Sequence, residues 1–154
     1  MTRIFRPTWA ILTWLVVLMI PVQFYLAGQG AFAFHEATAS SRDDAWAAHA
    51  AFGSLIGLVV ILVLLTGLAA RLPRRLLGMT GLLFVLMLVQ VALAGFGDSA
   101  STRWLASVHP VNALLVTGVA VSLAIRGRAY LPRALGGKAA EPETQSGRDP
   151  VAVS

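Results

Sequence analysis

Long apolar runs separated by short polar ones dominate this 154-residue chain. Four of them reach or approach the roughly 20 apolar residues that a membrane-crossing helix needs, at about 9–31, 49–70, 76–96 and 105–125. The pattern predicts an all-α fold, a four-helix transmembrane bundle running up-down-up-down over residues 1–133. The turn "RLPRR" at 71–75 is short, so the second and third helices are expected as antiparallel neighbours. From residue 134 the composition turns to Gly, Ala, Glu, Pro, Thr, Gln and Ser, and residues 134–154 are expected as a disordered tail.

Polar positions inside the apolar runs are few, and they repeat. "QFYLAGQG" at 23–30 and "QVALAGFG" at 90–97 agree at five of eight positions. A histidine opens the next span in each case, His49 after the first copy and His109 after the second. A bundle built from two similar helical hairpins would leave this pattern.

Composition places the chain in a bilayer, because 57% hydrophobic and 12% charged residues leave too little polar surface for a water-soluble globule. The formal charge of +5 is distributed by topology. Arg3 and Arg6 precede the first span, Arg71, Arg74 and Arg75 lie between the second and third, and Arg126, Arg128, Arg133 and Lys138 follow the fourth. Only Arg42 and Arg103 fall in the other two loops. The positive-inside rule then gives a multi-pass protein of the bacterial cytoplasmic membrane with both termini cytoplasmic, loops 32–48 and 97–104 facing outward, and no call for nucleic acid. A cleaved signal peptide is the other reading of the first run, with "ATA" at 37–39 as its site, but the run is longer than a usual signal core. Trp9, Trp14, Trp46, Trp104 and Tyr130 lie near span ends and are expected as interfacial anchors. Ser41 or Asp44 is expected to cap the second helix.

The chain has no cysteine, so any metal must be held by nitrogen or oxygen. Counted at 1.5 Å per residue from the basic turns, Gln23, Gln90 and His109 stand roughly 22–25 Å up their helices and His49 roughly 33 Å. Four polar side chains thus gather near one end of a hydrocarbon layer about 30 Å thick, where polar groups need partners inside the bundle. Four and eight residues after His49 come Gly53 and Gly57; the same positions after His109 are Ala113 and Thr117. Each imidazole therefore heads a stripe of small residues. Such stripes serve close helix packing. They also give the clearance that a flat porphyrin between two imidazoles needs.

"QVALAGFG" followed by "WLASVHPVNALLV" resembles the halves of the haem A synthase family, in which four-helix units hold haem between histidines on alternate helices. More loosely, the chain resembles four-helix membrane b-type cytochromes. It looks closest to small four-span bacterial membrane proteins for which the resemblance implies a fold and no activity. Carried over residue by residue, His49 and His109 would be axial ligands. The departures are clear: there is one four-helix unit, no intramembrane carboxylate, and Pro110 directly after His109, which biases that histidine away from helical backbone unless the helix bends. Haem A oxidation is therefore not expected.

Gln23 and Gln90 either orient the ligand imidazoles or a haem propionate, or bond across helices with no cofactor. His35 and Glu36, with Asp43 and Asp44, form a weaker cluster without recognisable metal-ligand spacing. No Ser/His/Asp arrangement, phosphate loop or catalytic carboxylate pair lies in the spans. The leading expectation is one haem b between the second and fourth spans, for electron transfer with a redox partner or another membrane subunit. The alternative is a non-enzymatic scaffold or accessory subunit without cofactor. A channel or transporter is disfavoured by the lack of charged residues within the spans.

Overall fold

The computed structural model describes the backbone of residues 2–32, 39–96 and 101–132, with the side chains of 2, 3, 39–45 and 103 left aside. The expected tail at 134–154 and the His35/Glu36 cluster lie outside these residues, as do the side chains of Asp43 and Asp44.

Five helices follow in order: α1 Thr2–Phe32, α2 Ala39–Ala69, α3 Arg74–Gly95, the short α4 Arg103–Ala106, and α5 His109–Gly127, which runs into a 3-10 turn at Arg128–Tyr130. No strand occurs among the described residues. Four segments are long and apolar enough to cross a membrane: Ile4–Phe32, Trp46–Ala69, Arg74–Gly95 and Trp104–Tyr130. The protein is an all-α four-helix bundle of the multi-pass membrane type.

Three helices differ from the expected bounds, the first because α1 already begins at Thr2, seven residues before its predicted span. α2 begins at Ala39, ten residues before the predicted span, so Ser41 and Asp44 lie within its first turns and neither is its cap. The fourth span is broken: α4 ends at Ala106, and α5 starts at His109 with Pro110 in its first turn. The bend that Pro110 requires is thus made just before the histidine, where a missing N–H costs nothing because first-turn donors have no helical acceptor.

Packing follows the helical period. The buried stripe of α1 is Trp9, Ala10, Thr13, Val16, Met19 and Ile20; that of α2 is Ile56, Val59, Val60 and Val63. α3 contributes Thr80, Leu83 and Met87, and α5 Asn112, Val116, Ala120, Leu123 and Ala124. Spacings of three and four keep each stripe on one face. α1 packs on α2 and α5, and α3 packs on the same two, so α2 and α5 stand diagonally across the bundle. Large apolar side chains such as Leu18, Leu58, Leu88 and Leu114 point outward, as lipid-facing positions should. Hydroxyls inside the spans donate to their own helices: Thr13 to the Trp9 carbonyl, Thr80 to Leu76 and Thr117 to Ala113.

At the arginine-rich end, α2 closes with hydrogen bonds from Arg71 N–H to Leu68 O and from Leu72 N–H to Gly67 O. This is the Schellman arrangement, whose pivot residue needs a left-handed backbone. Arg71 takes that role with φ 48°. Trp9 corrects its expected place as an interfacial anchor, for it is fully buried against Gly67, Gly127 and Tyr130. Trp104 is largely exposed, as an anchor should be.

Candidate functional site

The end of the bundle opposite the arginines carries the polar cluster, and the core stripes explain how it forms. Gln23 continues the α1 stripe past Ile20, Gln90 continues that of α3 past Met87, and His109 precedes Asn112 on α5. His49 lies two turns before Ile56 on α2. Each polar residue occupies the next inward position of its own helix, so all four converge on the axis.

His49 and His109 meet there with ring centres 6.2 Å apart and planes at 61°. Two imidazoles bound through one nitrogen each to opposite sides of a single metal ion, at bonds of about 2.0–2.1 Å, hold their centres roughly 6.3 Å apart. The two ring centres thus stand at about the spacing of a pair sharing one ion, in an edge-on arrangement that two rings also adopt in direct contact.

The two hairpins hold their histidines differently. His109 Nδ1 lies 3.1 Å from the Gln90 carbonyl oxygen. A carbonyl only accepts, so Nδ1 carries the proton and the lone pair sits on Nε2, the tautomer that a ligand imidazole uses. Gln90 Oε1 in turn accepts from Asn112 Nδ2 at 2.6 Å, and the same amide donates to the Leu86 carbonyl at 2.9 Å. In the other hairpin Gln23 Nε2 donates to the His49 carbonyl at 3.1 Å and lies 3.1 Å from Nδ1 and 3.3 Å from Nε2 of the same residue. Gln23 Oε1 is buried with no hydrogen-bond partner. The amide orientation is set by the His49 carbonyl, since turning it over in place would bring Oε1 against that carbonyl oxygen, two acceptors with no proton between them.

Gly53 and Gly57 lie against the side-chain tips of neighbouring helices. A Cβ at Gly53 would meet only Gln23, with Nε2 at 3.0 Å, and one at Gly57 would meet only the Met87 methyl at 3.6 Å. No neighbouring backbone comes within 4 Å of a Cβ at either position, and at Gly53 the approach from α1 is made by the Gln23 side chain alone. The tips of two flexible side chains cover them. Ala113 and Thr117 are half-buried on α5, and the Thr117 hydroxyl is committed to the Ala113 carbonyl at 2.7 Å.

Trp46 lies beside His49, edge to face, with ring centres 5.6 Å apart. Its indole presses on Gly30 of α1, where a Cβ would come within 2.8 Å of the ring. Neither Trp46 nor Asn112 was singled out for this site by sequence. Asn112 was legible as an uncharged polar residue three positions after His109, inside an apolar run; the meeting of Trp46 with Gly30 bridges two helices and has no sequence signal. Among the described residues no group of three or more His, Cys, Asp or Glu converges on one point, so the site offers two imidazoles and amides.

A family profile described as a family of unknown function (DUF6220) matches residues 23–101, just over half of the chain. The matched segment opens at Gln23 and includes His49, Gly53, Gly57 and Gln90, while His109 and Asn112 lie beyond it. No curated protein and no solved structure matches, so neither comparison returns a haem A synthase or a b-type cytochrome.

Proposed function

From the geometry of its paired imidazoles we propose that this chain, which belongs to the family of unknown function DUF6220, is an integral protein of the bacterial cytoplasmic membrane that binds one haem b between His49 and His109. The observation that carries this reading is the 6.2 Å separation of two histidine rings from diagonally opposed helices. Two further features support it. The His109 tautomer already presents Nε2, and the glycine face below His49 is covered by movable side chains alone.

In this reading His49 and His109 would hold the haem, and Gly53 and Gly57 would leave room beside it. Gln23 would leave the Gly53 niche and give up its bond to the His49 carbonyl, which frees Oε1 to accept a proton from His49 Nδ1. Asn112 holds Gln90, and the Gln90 carbonyl holds His109. Met87 withdraws from Gly57. When bound, the group would supply one-electron transfer. Ala113 and Thr117 provide the equivalent low relief on α5.

Expression in haem-replete cells, followed by an absorbance scan of the full chain in detergent, tests the proposal. The expected result is a red protein with a reduced b-type spectrum and one haem per chain, lost in His49→Ala and in His109→Ala. A colourless protein that takes up no added haemin would overturn it.

A second reading is favoured by the contacts of Gln23, which bridges α1 to both the ring and the backbone of His49 while filling the Gly53 niche. There the cluster is an interhelical latch in a scaffold or accessory subunit. Under that reading the same histidine substitutions loosen the bundle, and the protein carries no cofactor to lose.

A further inference from the structure

We infer that the seam between α1 and α5 at the arginine-rich end binds the headgroup of an anionic phospholipid. The Arg6 guanidinium carbon lies 5.5 Å from the Tyr130 ring centre, and that of Arg128 lies 5.6 Å from the Trp14 ring centre. Both arginines are exposed. The ring platforms are themselves fixed, because Tyr130 packs edge-on against fully buried Trp9, which also closes on Gly127. A guanidinium stacked over an aromatic face is held by that face while its N–H donors still point outward in its own plane, where a phosphate can take two of them.

No carboxylate stands near these arginines in sequence. The seven acidic residues fall at 36, 43, 44, 98, 141, 143 and 149, so residues 1–35 and 99–140 carry none. Exposed Ile11, Leu15 and Leu18 on α1 and Ile125 on α5 provide apolar flanks along which acyl chains can run. Positive charge on two ring-supported guanidinium groups and an apolar flank fit a lipid that carries a phosphate and a net negative charge.

The test is native mass spectrometry of the full chain released from detergent containing equal amounts of phosphatidylglycerol and phosphatidylcholine. Wild type is expected to retain the anionic lipid with a preference of about fivefold or more, the scale of one membrane-surface arginine. The preference is expected to fall close to parity in Arg6→Gln/Arg128→Gln and to survive in Arg74→Gln/Arg75→Gln. Equal retention of the two lipids by wild type would overturn the proposal whatever the yield of the variants. So would loss of the preference in the turn variant and not in the seam variant, or displacement of the lipid by millimolar inorganic phosphate, which would mark a site for the free ion.

Discussion

His49 and His109 face each other across the bundle axis at 6.2 Å between ring centres, although the helices that carry them are diagonal and not packing neighbours. The pair is held by α1 and α3, through Gln23 on one side and the Gln90 carbonyl on the other. That asymmetry, a side chain in one hairpin and a backbone atom in the other, determines how substitutions should behave.

Gln23→Ala and Gln90→Ala are expected to differ in cofactor content. The first removes the only residue found bonded to the His49 ring among the described contacts, whereas the second leaves the carbonyl that orients His109 in place. Haem retained per chain should drop several-fold in Gln23→Ala, on the scale reported for groups that orient metal ligands, roughly 10-fold or more, and change little in Gln90→Ala. Equal retention in both variants, measured by absorbance, would remove the assigned role of Gln23.

Asn112 and Gln90 should be energetically coupled. Their side chains share a 2.6 Å hydrogen bond between α5 and α3. Within a membrane such bonds contribute about 0.6 kcal/mol on average and up to about 1.7 kcal/mol. A double-mutant cycle with Gln90→Ala and Asn112→Ala, followed by unfolding in mixed detergent, is expected to return a coupling in that range. A coupling of zero would mean that the bond does not help hold α3 to α5.

Gly127→Ala and Gly30→Ala place a similar clash against different surroundings. The added carbon would lie 3.0 Å from the Trp9 ring in the first and 2.8 Å from the Trp46 ring in the second. Trp9 is 0% exposed and has no room to yield, while Trp46 is 38% exposed and can swing toward the rim. Gly127→Ala is expected to cost about 1–3 kcal/mol, the usual range for overpacking a filled core. Gly30→Ala should cost less than about 1 kcal/mol and shift tryptophan emission as the indole leaves His49. The order of the two thermal midpoints checks the argument.

Arg71→Gly is expected to stabilise the bundle. Arg71 holds φ 48° at the end of α2, and a side chain in left-handed backbone costs roughly 1–2 kcal/mol that glycine avoids. Part of this gain is offset by the greater freedom of glycine in the unfolded chain. A rise of thermal midpoint is the expected outcome, and a fall would show that the Arg71 side chain contributes more than its backbone costs.

Much of the architecture was legible in the sequence because membrane helices announce themselves by length and apolarity. The four spans, their antiparallel order across the short 71–75 turn and the gathering of Gln23, His49, Gln90 and His109 at one end all follow from counting along the chain. The start of α2 at Ala39 was missed because Ser, Arg and Asp read as a wet loop, although a helix can emerge from the bilayer and keep its hydrogen bonds in polar surroundings. Trp9 was misread for a related reason: an aromatic near a span end is usually an anchor, and only the glycines at 67 and 127, brought beside it by two other helices, turn it into core.

Sequence by itself determined the spans and the end of the bundle at which their few polar members gather, since length and apolarity are counted along the chain. Only the tertiary structure decided what those members meet. That Gln23 fills the Gly53 niche, that Asn112 reaches Gln90, and that the two imidazoles stand 6.2 Å apart all depend on the rotation and distance of four helices about a common axis. Those quantities are set by the sum of many side-chain contacts along the full length of the bundle, and no local segment of the chain encodes them.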